Sequence, residues 1–182
     1  MELKIKYLVL SLLLSCLIAC NEEEQQHQKL DVISDPNSAL NYLKNLQGKW
    51  KVQDTIDGSF GWEIEATSRE NVIIERLKLG TTTEMLTIYN IDNGILYGNH
   101  FCQLQNQPIL IAVNSDVDGD LHFLCNGKVG NTKSHKELHM HGVHFKKKND
   151  KVLIWMDMFK GDSLAFETRY ELSRREITNK DN

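Results

Sequence analysis

From residue 49 onward, apolar and polar positions alternate in short runs, each closed by turn-forming residues. The runs cover 49–56, 60–68, 72–79, 84–91, 95–104, 108–113, 121–125, 138–146, 152–159 and 164–173. An alternation of period two places every second side chain on one face, so each run reads as a strand with one side toward a core. Asp57 with Gly58, Asn93 with Gly94, Asn149 with Asp150 and Gly161 with Asp162 fall between runs and are hairpin signals. Upstream, the pattern changes to helical spacing. Asp35 is a preferred N-cap, Pro36 suits the first helical position, Leu40, Leu43 and Leu46 form one apolar stripe, and Gly48 ends it. Closely spaced strands with tight turns predict an antiparallel meander, and closing it removes exposed edges. The expected fold is therefore mainly β: an antiparallel up-and-down barrel of roughly eight to ten strands with a short N-terminal helix. The polar stretch 127–136 is expected to form a loop capping one end.

Composition agrees with a folded body. Of 182 residues, 41% are hydrophobic and 25% charged, with only two prolines, which fits a globular domain and not a disordered chain. A net charge of -4, with no basic face and no interleaving of aromatic and basic residues, argues against a nucleic-acid partner. Lys146–Lys148 precedes Asn149 and Asp150 and reads as a solvated turn. The first residues differ in kind. Lys4 and Lys6 precede an apolar segment, 7–19, of about 13 residues, which has signal-peptide anatomy and is too short for a comfortable membrane span. Leu17, Ile18, Ala19 and Cys20 resemble the lipobox of bacterial lipoproteins. That resemblance implies cleavage before Cys20, a diacylglyceryl thioether on its sulfur and an acylated new N-terminus, a durable anchor. Residues 13–16 also fit the pattern, but cleavage there would leave apolar residues on the mature chain. The polar, acidic stretch after Cys20 reads as a tether. The expected organisation is a signal peptide (1–19), lipidated Cys20 with its tether (20–34), a barrel domain (35–176) and a polar tail (177–182). The expected location is the cell envelope, bound to the membrane through the lipid. Asn21 after the modified Cys points to the periplasmic face of the outer membrane in a Gram-negative cell.

The chemistry lies on the inward faces. His100 and Cys102 share a face with Leu96 and Leu104; His139 and His141 share one with Val143 and Phe145. Polar groups on a core face are costly without partners. One reading makes them the wall of a cavity for a small ligand, with His100, His139, His141, Asn106 and Gln107 bonding an anionic or carbonyl-bearing group and Cys102 beside them; it needs no cofactor. A second makes His100, Cys102, His139 and His141 a zinc set, because zinc accepts imidazole nitrogen and thiolate in tetrahedral arrangements. A third is a structural or interaction domain with a filled core, its histidines satisfied internally. Cys102 and Cys125 both fall on apolar-facing positions and could form a disulfide in an oxidising compartment, which would exclude Cys102 from a metal. Catalysis is not expected. No serine sits in a strand–elbow–helix context, no paired carboxylates share an inward face with the histidines, and residues two apart on a strand are far for a nucleophile–base pair. Asp157 and Asp162 read as solvated and near turns. His122, His135 and His144 read as surface residues, with His144 an outer ligand if the register slips by one.

Two further resemblances bear on the fold. Gly48 and Trp50, after the helix and at the start of the first strand, look like the Gly-x-Trp signature of lipocalins and related calycin barrels. Those families place an arginine near the end of the last strand over the tryptophan, and Arg174 or Arg175 could fill that role. Most of residues 46–175 is also similar to an uncharacterised family of small bacterial lipocalin-like proteins. The resemblance is carried by His100–Phe101–Cys102, Asn106–Gln107–Pro108 and His139–Met140–His141. Asn99 stands where Thr is usual in that family, and Phe101 where Tyr is usual. The resemblance implies a fold and a choice of site residues, not a reaction.

Overall fold

A computed structural model of the chain describes residues 30–52, 60–80, 82–115, 119–130 and 136–175. The apolar leader, Cys20 and the tail from 176 lie outside the described residues, as do residues 131–135 of the 127–136 loop, His135 among them. Helix α1 is Pro36–Lys44, and the Asp35 side chain caps it by accepting from the Ser38 amide at 3.0 Å. Ten strands follow: β1 (Gly48–Val52), β2 (Phe60–Thr67), β3 (Val72–Leu79), β4 (Thr82–Asp92), β5 (Ile95–Phe101), β6 (Ile109–Val113), β7 (Asp120–Cys125), β8 (Leu138–Lys148), β9 (Lys151–Lys160) and β10 (Ser163–Arg174). Each pairs antiparallel with its neighbours in sequence, and β1 pairs with β10 to close the barrel.

The alternation in sequence becomes the inside and outside of this barrel. Ile73 and Leu77 on β3, Leu96 on β5, Phe123 on β7, Phe145 on β8 and Ile154 on β9 are buried, with more exposed residues between them. Closure is fixed at the β1–β10 seam, where Trp50 lies opposite Arg174. The Arg174 guanidinium sits 4.2 Å over the indole and donates to the Gln47 carbonyl, while Trp50 Nε1 donates to the Leu46 carbonyl at 2.8 Å. Gly48 carries φ +128°, and a side chain there would overlap the guanidinium, so glycine is required both conformationally and sterically.

Helix α1 buries Ala39, Leu40 and Leu43 against one end of the barrel. Its Tyr42 hydroxyl accepts from the Lys147 amide at 2.7 Å and donates to the Phe145 carbonyl at 3.1 Å. Residues 31–33, read from sequence as tether, run beside β6, with Val32 bridged to Val113. Of the polar stretch after β7, Val129 is buried and its carbonyl accepts from the Gln107 amide at 2.8 Å, so this part packs on the 106–109 segment.

Two local departures from regular pairing matter for the site. Strand β5 stops at Phe101 and not near Leu104. The chain then turns tightly, with Gln105 at φ 63° and its amide donating to the Cys102 carbonyl at 2.9 Å. On β8 the register against β9 shifts between Met140 and Gly142, a bulge centred on His141.

Candidate functional site

Inside the barrel, away from the helix-covered end, a small set of polar side chains sits among apolar ones. Trp62, Glu75, Leu77, Thr87, Tyr89 and His100 line a cavity of about 10 Å³, together with Val143 and the thioethers of Met85, Met140 and Met156. Glu75 lies two residues from Ile73 and two from Leu77, so the β3 alternation directs its carboxyl inward. There it accepts from Tyr89 Oη at 2.6 Å and from Trp62 Nε1. Tyr89 reaches it because Gly98 opposite has no side chain: a Cβ there would stand 2.8 Å from the Tyr89 ring. Burial raises the Glu75 carboxyl above its usual range, against the lowering effect of bonds from Tyr89, Trp62 and Thr87. Burial and then the adjacent carboxyl raise the Tyr89 hydroxyl well above its ordinary value.

His100 completes this network. Its Nδ1 lies 2.9 Å from Thr87 Oγ1, directly opposite across β4–β5, and its Nε2 is buried with no hydrogen-bond partner among the described residues. Burial pushes the imidazole down to about 4, so it is neutral at physiological pH. Thr87 also bonds the Glu75 carboxyl. In the tautomer that carries its proton on Nδ1, His100 donates to Thr87 and Nε2 presents a bare lone pair to the barrel interior.

The residues chosen from sequence are only partly brought together. His100 faces inward as expected. Cys102 is past the strand end, with Sγ 3.8 Å from Met85 Sδ at the edge of the same cavity wall. Asn106 is buried, but it donates from Nδ2 to the Leu138 carbonyl at 2.9 Å and so pins the start of β8. Gln107 is exposed and bonded through its backbone. The β8 bulge corrects the expected orientation of the other pair. Val143 and Phe145 point inward, but beyond the extra residue Met140 takes the inward position, and His139 lies opposite Phe159 on the other face. His141 stacks on Phe159 at 4.1 Å. His139 is fully buried and donates from Nδ1 to the Glu137 carbonyl at 2.8 Å. Neither ring lines the cavity with His100, and His100, Cys102, His139 and His141 do not converge as a ligand set. Cys102 and Cys125 are not bridged; the Cys125 thiol faces the Lys128 carbonyl at 3.7 Å, and burial raises both thiols.

A different cluster, read from sequence as surface and turn residues, lies on the outer wall. His122 on β7 pairs with His144 on β8, and Asp157 on β9 faces Gly142. The two imidazoles stack at 3.6 Å, His144 stacks in turn on Trp155 at 4.4 Å, and His144 Nε2 donates to Asp157 Oδ2 at 3.2 Å. Asp157 is thus a mid-strand residue held by an imidazole, not a solvated turn carboxylate. Each residue stands between inward apolar neighbours, which is the signal that aligns them outward; their adjacency depends on strand order, which alternation does not encode. Comparison with protein-family models and with curated proteins returns no match.

Proposed function

We propose that the chain is a non-catalytic, lipid-anchored envelope protein whose barrel interior holds a small ligand. The supporting observation is the buried Nε2 of His100, on a neutral imidazole and with no hydrogen-bond partner among the described residues, beside the Glu75–Tyr89–Trp62 network. An unsatisfied buried polar atom costs roughly 1–3 kcal/mol, and a ligand that supplies its partner recovers this. The complementary ligand is compact, with an apolar body and one hydrogen-bond donor aimed at Nε2. The resting cavity of about 10 Å³ is on the scale of one water, so a larger ligand displaces thioether side chains. Met85, Met140 and Met156 are suited to this, because methionine is unbranched and adapts its shape at low cost. The anchoring part of the reading rests on the lipobox-like residues ending at Cys20.

Native mass spectrometry of the full chain, isolated under mild conditions from the cells that make it, tests the interior site. The expected result is a non-covalent adduct retained by the wild type and lost in His100→Ala with the fold intact by circular dichroism. Adduct-free wild-type protein, or an adduct kept by the variant, would refute the pocket. Mass analysis of the mature N-terminus tests the anchor separately: an acylated Cys20 is expected, and an intact Met1 would overturn it.

A further inference from the structure

We propose that His122, His144 and Asp157 form a binding site for a divalent transition-metal ion on the outer wall of the barrel. One nitrogen from each imidazole and one oxygen of Asp157 all lie within 4.8 Å of one another. In a tetrahedral centre with bonds near 2.0–2.1 Å, donor atoms stand about 3.3 Å apart. His144 Nε2 and Asp157 Oδ2 are already 3.2 Å apart, so two of three donors hold ligating separation before any ion arrives. The third donor comes from the His122 ring, which must turn out of its stack on His144 to aim a nitrogen at the same point. Its Nε2 is buried and has no hydrogen-bond partner among the described residues.

The position is built for this by glycine. Gly142 faces Asp157 across β8–β9, and a Cβ there would meet Asp157 Oδ2 at 3.0 Å, Leu124 Cδ2 at 3.3 Å and His122 Nε2 at 3.5 Å. A hydrogen in place of a side chain leaves the carboxylate and the imidazole sharing one small space. Three neighbouring strands carry the donors, and Trp155 backs the His144 ring, so their relative positions are set by the sheet and not by a loop.

The chemistry of the donor set selects the ion. Two imidazoles and one carboxylate suit zinc and its first-row neighbours, and no thiolate is present to favour a soft monovalent ion. His144 directs Nε2 at Asp157, so coordination through that nitrogen breaks the hydrogen bond and shifts the ring's single proton to Nδ1, leaving a neutral imidazole as the donor. His144 and Asp157 side chains are 15% and 21% exposed, so the site opens to water and leaves coordination positions free. Glu167, directly opposite Asp157 on β10, carries a further carboxylate beside the cluster, bonded to Arg169. This site is separate from the barrel interior and does not depend on an internal ligand.

Titration of the untagged full chain with Co²⁺, followed by visible absorption, and with Zn²⁺, followed by calorimetry, tests the assignment. One equivalent should bind, and His122→Gln and Asp157→Asn should each weaken binding at least tenfold. His144→Ala removes a ring stacked on Trp155 and is judged only if its thermal midpoint stays near the wild type. His100→Ala, which alters the interior alone, should bind as the wild type does. Wild-type protein that takes up neither ion, or His122→Gln and Asp157→Asn variants with unchanged affinity, would overturn the proposal.

Discussion

Protonation of His100 offers a direct measure of how dry the barrel interior is. An unfolded histidine takes up its proton near 6.5, whereas burial holds the folded imidazole down to about 4. Between those values the unfolded state binds more protons than the folded one, so stability falls as pH falls and the loss ends near the folded value. At about 1.4 kcal/mol per unit, the full span amounts to roughly 3 kcal/mol for this residue alone. His100→Gln removes the titrating group while keeping a side chain that can bond Thr87. The assay is urea unfolding of both proteins at intervals from about pH 7 to about pH 4. The wild type should lose roughly 3 kcal/mol more than the variant across that range. His122 and His144 are also lowered by burial, but they are present in both proteins and cancel in the difference. Glu75 acts with the opposite sign: its raised carboxyl contributes stability below the unfolded carboxyl value that is lost as pH rises. It too is common to both proteins. Parallel curves for wild type and His100→Gln would show that the imidazole is protonated in the folded state, and the unpartnered lone pair would lose its meaning.

Three further outcomes follow from particular contacts. Glu75→Leu strands the Tyr89 hydroxyl and the Trp62 N–H without an acceptor, and should destabilise by roughly 2–4 kcal/mol, whereas Glu75→Leu with Tyr89→Phe should cost less than the two single changes summed; additivity in unfolding measurements would count against the network. Gly142→Ala crowds Asp157 and His122 and should lower the melting temperature by a few degrees while weakening Co²⁺ uptake, which scanning calorimetry and absorption read separately. Alkylation of the denatured chain without reductant should modify both Cys102 and Cys125 in peptide mass maps; protection released only by reductant would show a disulfide.

The arginine over Trp50 was implied only by the Gly-x-Trp resemblance, which left Arg174 and Arg175 open. The closed barrel and its helix, in contrast, were legible because each depends on local pattern: period two in the strands and capping at Asp35. The inward direction of His100 was legible for the same reason. Glu75 and Tyr89 carried the same signal, each flanked two residues away by apolar or inward positions, and counting faces along β3 and β4 would have found them. The outer cluster was less accessible. Its three residues are 22 and 13 positions apart in sequence, and only the pairing of β7, β8 and β9 brings them together. A meander predicts that adjacency in principle, but the register that puts His122 opposite His144 comes from turn lengths that hydrophobic pattern does not specify.

The failure at His139 and His141 has a single cause. Alternation was counted outward from Val143 and Phe145, and it holds on that side of Gly142. One inserted residue reverses every face beyond it, so Met140 enters the interior and His139 leaves it. A glycine in mid-strand is the local mark of such an irregularity, and Gly142 stands beside the bulge. The same residue therefore explains two results at once. Next to it the ladder slips, leaving the interior with a lone imidazole among thioethers instead of three. At its own position the missing Cβ opens the space that Asp157 and His122 share on the outer face of the same wall. The division of imidazoles between the inside and the outside of the barrel is thus set by backbone geometry at one point on β8, and each site keeps its chemistry because the other histidines were turned away from it.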